Sequence, residues 1–551
     1  MSRLAPCLLS LLLLGSASAL AANPAERDAW LRKAAQHLSH QQWRQAATDL
    51  AKANALAPLE GDEAYNHACV LARMGQSQAA IRALTKALAS GFSDLEQLQK
   101  DEDLASLQAL PAFQKLVKQA VQAQSEQQRL YGAAALAKPY QAQLPAEQRV
   151  AGLSRLWSEA KYNFANFDLV PGLDWDALYL ETLPKVMDAT DTLAYYKELT
   201  KFFAKLQDGH TNVYAPDELA DQLYARPAMR VHMIEGRVLV SQVTAGAPGV
   251  EGVQAGDEIV SINGQSVQAF AQAHVDPYVS ASTPQDRRVR TYGYELLMGQ
   301  AGESLRLGLQ RPDGTTAEAV ITRLSSAQRK TLKSSGTPAF QWQMLPGRVA
   351  WVSLNSFASH ETAEAYLKHF PEISQAEAII FDLRRNGGGD SNVGYRVLST
   401  LTSKGYATSQ WSSRSYVPTW RAWRRLQQPM VEATDASPDP DRQFKGQVVV
   451  LTSAQTYSAA EDFTSAFKTM KRGVIFGEPT GGSTGQPLMI QLPGGGEARI
   501  CTKRDRMSDG TEFVGKGIAV DVAVEQTVAG VRAGRDEVLE AAQAWLKGQR
   551  R

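Results

Sequence analysis

The chain has 551 residues, 44% of them hydrophobic and 21% charged, which is ordinary globular composition and enough for three or four domains. Its 58 basic and 57 acidic side chains give a net charge of +1, so nothing in the charge balance points to nucleic acid. The three cysteines show no metal-ligand spacing, and no cofactor is expected.

Residues 1–21 read as a secretory signal. Arg3 provides the positive end, Leu8 to Leu14 is nearly all leucine, and Ala19-Leu20-Ala21 suits a small-residue cleavage site, with Ala17-Ser18-Ala19 as a second option. The apolar run is too short to span a bilayer, no cysteine stands at a lipobox position, and no other stretch reads as transmembrane. A periplasmic or secreted location is therefore expected for a bacterial protein. Cys7 leaves with the leader; Cys69 and Cys501 read as two buried free thiols, a disulfide between them being the alternative.

Residues 25–125 are helical and repetitive. Ala46 and Ala80, Leu50 and Leu84, Lys52 and Lys86, and Ala53 and Ala87 are each 34 residues apart. That is the tetratricopeptide period, with alanines where helices cross and leucines on the buried face. Two units resemble such repeats, and Leu104 to Val117 would cap them. The segment serves either as a partner-binding or oligomerisation surface or as a helical spacer; His37, His40 and His67 within it read as ordinary surface or packing residues. Residues 145–215 hold further helices, whose Trp157, Tyr162, Phe164 and Trp175 read as core, and then Asp208-Gly209-His210-Thr211 at a helix end before a strand-like run.

Residues 226–325 contain Gly256-Asp257-Glu258-Ile259-Val260-Ser261-Ile262-Asn263-Gly264, in which Asn263-Gly264 signals a hairpin. This stretch resembles a PDZ domain, which would take an extended peptide as an added strand. The usual carboxylate loop is not evident near Arg226 to His232, so a lid or regulatory role stays open. From 340 to 527, short apolar strands (Val349 to Leu354, Ile379 to Leu383, Val448 to Leu451, Val474 to Phe476) alternate with helical patterns, predicting an α/β core with parallel pairing. Leu488–Leu492 and Ala498–Lys503 flank Pro493-Gly494-Gly495-Gly496 and read as a hairpin. Tyr406 to Asp441, rich in Trp and Arg, is a lid or a surface insertion. Residues 530–551 read as a C-terminal helix.

Ser458 is the residue on which a function can be built. It follows the strand Val448-Val449-Val450-Leu451 and precedes Phe463, Phe467 and Met470, which share one helical face. A serine at such a corner is exposed beside the unpaired first N–H groups of a helix, which can hold an oxyanion. Ser-x-x-Glu is also a capping box, and taken alone that reading is favoured. A hydroxyl needs a base, and His210 supplies one in a suitable setting. In Asp382-Leu383-Arg384-Arg385-Asn386-Gly387-Gly388-Gly389, a strand runs into three glycines. No Lys-Ser or Lys-Thr follows them, which excludes a Walker loop.

These segments, with Gly477-Glu478-Pro479-Thr480-Gly481-Gly482 and Gly515-Lys516-Gly517-Ile518-Ala519-Val520-Asp521, resemble the tail-specific (C-terminal processing) serine peptidases, including the core protease domain of tricorn. The motifs stand in the family's order between about residues 145 and 527. The resemblance implies a crotonase-like α/β peptidase core. It also implies a serine endopeptidase that cuts extended or unfolded polypeptide through an acyl-enzyme on Ser458. One branch of the family pairs serine with a lysine shortly after Gly-Glu-x-Thr. Here that run reads Gly481-Gly482-Ser483-Thr484-Gly485-Gln486, and Lys468, Lys471 and Lys503 read as solvated charges. The tricorn-like branch implies His210 as general base, oriented by a small polar residue before it and a late glutamate. Gly209 stands where the serine is expected. Glu512 is assigned as the orienting group, with Asp208 and Glu461 as alternatives. The oxyanion donors are assigned to Gly388 or Gly389 and to Ala459. The rival is a non-catalytic scaffold that recruits partners through the repeats and the PDZ-like segment.

Overall fold

Alanine spacing governs the first of the two units into which the chain divides, Met1–Gly132 and Ala133–Arg551. The computed structural model describes residues 24–332 and 336–549, so the leader read at 1–21 lies outside the described residues. In the first unit, Pro24–Ser39 pairs with Trp43–Leu56 and Gly61–Arg73 with Ser77–Ala89 as antiparallel hairpins. Ala46, Ala53, Ala80 and Ala87 are fully buried at the crossings, and Leu50 and Leu84 are buried with them, while Lys52 and Lys86 are exposed. The repeat extends to the turns: Gln42 N–H donates to the His37 carbonyl and Gln76 N–H to the Leu71 carbonyl, both at 2.8 Å. These are matching helix stops of the Schellman type, with Gln41 and Gly75 in the left-handed conformation. A 3₁₀ turn at Glu102–Leu107 and the helix Pro111–Tyr131 complete the unit.

The second unit opens with the helices Ala146–Asn163, Trp175–Met187 and Thr192–Ala204. Phe164 and Trp175 lie in their core, where Trp175 stacks on Phe202 at 4.3 Å between centroids. Tyr162 does not; it is exposed and packs edge-on against Tyr416. Next comes a sheet of Met229–Ile234, Arg237–Val243, Glu258–Ile262, Ser304–Gln310 and Thr316–Thr322, antiparallel throughout. Gln265–Ser266 folds back on Glu258–Ile262 through Asn263 and Gly264, both at positive φ as a tight hairpin turn requires.

A second six-stranded sheet runs in the order Val522–Ala523, Val474–Gly477, Gln447–Thr452, Ala378–Asp382, Val349–Leu354, Phe340–Leu345. Only the last pairing is antiparallel. All five residues of Ala378–Asp382 are buried, as expected of a parallel strand covered on both faces. Ile379, Phe381, Val448 and Val450 pack toward Phe463 and Phe467, whereas Ala378, Ile380, Val449 and Leu451 pack toward Val538, Ala542 and Leu546 of the helix Glu537–Gly548. The fold is thus multidomain α/β with a helical N-terminal region. Because Ala378–Asp382 and Gln447–Thr452 are parallel neighbours, the loops after them emerge side by side, where ligands meet open α/β sheets.

Tyr406–Ser413 and Met430–Ala436 form an antiparallel pair that Lys503–Arg506 joins as a third strand. The expected hairpin after Gly485 spans Pro487–Gln491 and Glu497–Cys501, and Asn212–Tyr214 pairs with its second strand. Cys69 and Cys501 are each buried within their own unit as free thiols.

Candidate active site

The loop after Gln447–Thr452 turns sharply at Ser458, with φ 55° and ψ −126°, and enters the helix Ala459–Thr469. A non-glycine residue held there stores about 1–3 kcal/mol of backbone strain. Strand, tight corner and helix together lift the side chain off the sheet edge, as a nucleophile requires. The corner is over-determined by its neighbours. Tyr457 N–H donates to the Asn386 carbonyl at 3.0 Å, and Ser458 N–H to the Ser483 carbonyl at 3.2 Å.

His210 meets this serine from the other side of the sequence. Its Nε2 is 3.0 Å from Ser458 Oγ and its Nδ1 is 2.8 Å from Ser483 Oγ. For Nε2 to accept the serine proton, Nδ1 must carry the ring hydrogen and donate it to Ser483. The ring stacks on Tyr457 with centroids 5.1 Å apart. Asp208 binds the backbone of the turn rather than the imidazole. Its carboxylate accepts from His210 N–H at 2.9 Å, from Thr211 Oγ1 at 3.0 Å and from Asn166 Nδ2 at 2.9 Å. Burial strips water from His210, and the Arg499, Arg290 and Lys503 charges add to this, so its pKa falls from 6.5 to about 3.

Glu512 does not reach the histidine. It lies beside Lys503–Arg506, bonded to Arg504 Nε at 3.1 Å and to Arg506 Nε at 2.6 Å. A residue two positions from a loop glycine can follow its own strand edge, and here two arginines claim its carboxylate. Glu461 does not touch the ring either, yet it organises the group that does. Fully buried, it accepts from Thr480 Oγ1 at 2.6 Å, Gly482 N–H at 2.8 Å, Ser483 N–H at 2.9 Å and Ser458 N–H at 3.3 Å. Burial raises its carboxyl to about 8 even though the four donors pull it down. Ser483 lies in the Gly481–Gln486 run, which lacks the lysine of the lysine-paired branch. The available signal was a hydroxyl in that run together with the missing serine at 209. The two features are linked: a Cβ on Gly209 would fall 1.7 Å from Tyr457 Oη. Tyr457 therefore bars a side chain at 209, and the hydroxyl comes from Ser483 instead.

The glycine loop packs directly against the serine. A Cβ on Gly388, at φ +98°, would lie 2.6 Å from Ser458 Cβ, and one on Gly389, at φ +138°, would lie 2.2 Å from the Phe357 carbonyl carbon. Gly388 N–H is not free to serve an oxyanion, because it donates to Asn386 Oδ1 at 2.9 Å. The N–H groups of Gly389 and Ala459 donate to no acceptor among the described residues. Of the three lysines, Lys503 departs from the solvated reading: it lies 3.0 Å from the buried Asp505 carboxylate. Lys468 pairs with Asp521 at 3.1 Å.

A cavity of about 430 Å³ opens over the pair, lined by His210, Ser458, Gly389, Tyr457, Arg290 and Arg499 among others. Arg290 belongs to the π-helix Val289–Glu295, an irregular turn of the kind that clusters at functional sites, and is paired with Asp286 at 2.7 Å.

Residues 348–524 match the model for peptidase family S41, and residues 233–317 match one for the N-terminal domain of Bacteroidetes S41-family peptidases. The chloroplastic C-terminal processing peptidase of Tetradesmus obliquus is 24% identical over 299 residues, covering 53% of this chain and 57% of that protein. The chain thus spans little more than half the length of this curated relative. Among solved structures, mature CPAF in complex with lactacystin superposes with a TM-score of 0.58 at 16% identity, covering 73% of this chain and 98% of that one. A second structure of mature CPAF gives 0.56 at 14% identity, with coverage of 70% and 94%. Those likenesses speak to fold. The matches to peptidase family S41 itself cover residues 233–317 and 348–524 of this chain.

Proposed function

We propose that the protein is a serine peptidase that hydrolyses peptide bonds in extended polypeptides through an acyl-enzyme on Ser458. The observation that carries this reading is the hydrogen-bonded line Ser483–His210–Ser458, at 2.8 and 3.0 Å. His210 Nε2 takes the Ser458 proton as Oγ attacks the carbonyl carbon, and Ser483 holds the ring in the tautomer that leaves Nε2 free. The N–H groups of Ala459 and Gly389 receive the oxyanion, a contribution typically worth a hundredfold or more in rate per donor. The imidazolium then gives its proton to the departing amine. Water attacks the ester by the same route in reverse and regenerates Ser458.

The residues around this centre fit accessory roles. We assign a crotonase-like topology to the 340–527 core and a PDZ-like role to 226–325, where a polypeptide would add along an open edge. The hairpins of residues 25–125 are read as tetratricopeptide-like, offering a surface for a protein partner. The leader-like residues 1–21 suggest a periplasmic or secreted location.

The test is cleavage of an unfolded protein by the purified protein, beside Ser458→Ala and His210→Ala, with fragments read by mass spectrometry. A fluorophosphonate label on Ser458 reports the nucleophile independently. Cleavage and labelling that Ser458→Ala abolishes, and that His210→Ala lowers at least a thousandfold, are expected. Intact protein that neither cleaves nor labels would remove the peptidase reading and leave the scaffold.

A further inference from the structure

We propose that Arg499 receives a carboxylate carried by the leaving portion of the substrate, making the protein selective for an anionic group just beyond the scissile bond. The inference rests on the peptidase reading above. Arg499 projects from Glu497–Cys501 into the cavity that holds His210 and Ser458. Its Nε donates to Asn212 Oδ1 and its Nη2 to the Gly209 carbonyl, both at 2.9 Å. Both acceptors are neutral. Among the described residues no carboxylate lies within ion-pair distance of Arg499, and its Nη1 has no acceptor.

The neighbouring charges are already matched. Arg290 is held by Asp286 at 2.7 Å, Lys503 by Asp505 at 3.0 Å, and Arg504 and Arg506 by Glu512. The Asp286 carboxylate also accepts Ser282 N–H at 3.1 Å. Among the described residues that line the cavity, Arg499 is therefore the cation with no carboxylate in ion-pair contact; the buried Asp208 carboxylate acts on it only through space. Two hydrogen bonds and the Tyr214 ring, 5.6 Å away, fix its guanidinium plane. A carboxylate would meet an ordered fork rather than a free side chain, which lowers the entropy lost on binding.

The position on the histidine side determines which part of the substrate is read. The amine leaves by taking the proton from Nε2, so the leaving fragment lies against the histidine. Arg499 is anchored to the carbonyl of Gly209, the residue before it. A free C-terminal α-carboxylate and an acidic side chain offer the same chemistry there.

The experiment separates the two sources and keeps catalysis apart from recognition. Ser458→Ala protein is titrated with pools of N-acetylated octapeptides that end in a free acid, end in an amide with one Glu, or end in an amide with no acid. An acid-bearing pool is expected to bind about 10- to 100-fold tighter than the neutral pool, the range for a charged hydrogen bond. Adding Arg499→Gln should erase that ratio, and Arg499→Lys should retain part of it. Whichever acidic pool gains identifies the source. Equal binding of all pools by the Ser458→Ala protein overturns the proposal, as does a preference that survives Arg499→Gln. Discrimination without cleavage of unfolded protein by the intact enzyme would sink the peptidase reading alone. Cleavage without discrimination would sink the carboxylate site alone.

Discussion

His210 is stripped of water and faces the charges of Arg499, Arg290 and Lys503, while, among the described residues, no carboxylate oxygen bonds its ring. With the pKa lowered to about 3, the free base form persists through mild acid. We expect kcat/KM to stay flat from about pH 7 down to about pH 5, where an unperturbed histidine of pKa near 6.5 would have lost most of its activity. A half-maximal point at pH 6 to 7 on an intact enzyme would contradict this. The stability consequence has a definite sign. The folded pKa lies below the unfolded one, so the unfolded chain binds the extra proton. The stability associated with His210 is present above about pH 6.5 and drains away as pH falls toward 3. Ser483→Ala removes the acceptor of the Nδ1 hydrogen and frees the ring to turn. A fall of about 10- to 100-fold in kcat is expected, with KM little changed and fluorophosphonate labelling slowed in parallel, because a single hydrogen bond orients the ring. Gly209→Ser should fail for the reason that glycine is there: its Cβ collides with Tyr457 Oη at 1.7 Å. Pairing it with Tyr457→Phe, which removes that oxygen, should recover part of both activity and thermal stability. A double-mutant cycle with no coupling would show that the clash is not what excludes a side chain at 209.

At the scale of elements, one buried side chain, Glu461, ties the Ser458 corner to the loop that carries Ser483. All four partners of Glu461 donate to it, since Thr480 Oγ1 itself accepts Ile518 N–H at 2.7 Å and so spends its own hydrogen on Glu461. Above about pH 8, where Glu461 is ionised, Glu461→Gln would set an amide NH₂ against N–H donors. Urea unfolding at that pH should show a loss of about 1–3 kcal/mol, the cost of stranding buried donors, together with a fall in kcat, because Ser483 moves with its loop. Unchanged stability would mean that the loop is held by Thr283 Oγ1, which donates to the Gly481 carbonyl at 2.8 Å, rather than by the glutamate. The elements themselves were legible in the sequence, since Ile379–Phe381 and Val448–Leu451 are continuous apolar runs that only a doubly covered strand can use. Ser458 and His210 were legible because each sits at an element boundary with a recognisable turn. The orienting group was not. Ser483 lies 273 residues from His210 in sequence, and nothing local to a serine in a Gly-Gly-Ser-Thr-Gly run marks which ring it will face. Glu512 looked suitable by strand parity alone, but parity says nothing about the two arginines that the neighbouring strand Lys503–Arg506 places beside it.

Across the whole molecule, the antiparallel module and the α/β core share the responsibility for the site, whereas the N-terminal helices form a unit of their own. Residues 280–285 reach both the turn before His210 and the loop that carries Ser483. Ser280 Oγ donates to the Asp208 carbonyl at 2.8 Å, Gly209 N–H donates to Ser282 Oγ at 3.0 Å, and Gln285 Nε2 donates to the carbonyls of Thr480 and Lys516 at 3.1 and 2.8 Å. Removing or displacing this module would therefore loosen His210 and the Ser483 loop together. The first unit has its own closed core of Ala46, Leu50, Tyr65, Leu84 and Leu104, and the helix Pro111–Tyr131 that ends it is exposed from Val121 onward. Beyond it, residues 138–142 are again tied down, with Gly494 N–H on the Lys138 carbonyl at 2.9 Å and Thr192 N–H on the Ala142 carbonyl at 3.0 Å. Limited proteolysis of the full chain should accordingly cut first between Ser125 and Lys138, where few contacts protect the backbone. The larger fragment should keep its Ser458 reactivity toward a fluorophosphonate, and heating the full chain should give two separable transitions. Loss of labelling on that single cut would mean that the helical unit is required to hold the catalytic geometry, and would move it from a partner surface to a structural part of the peptidase.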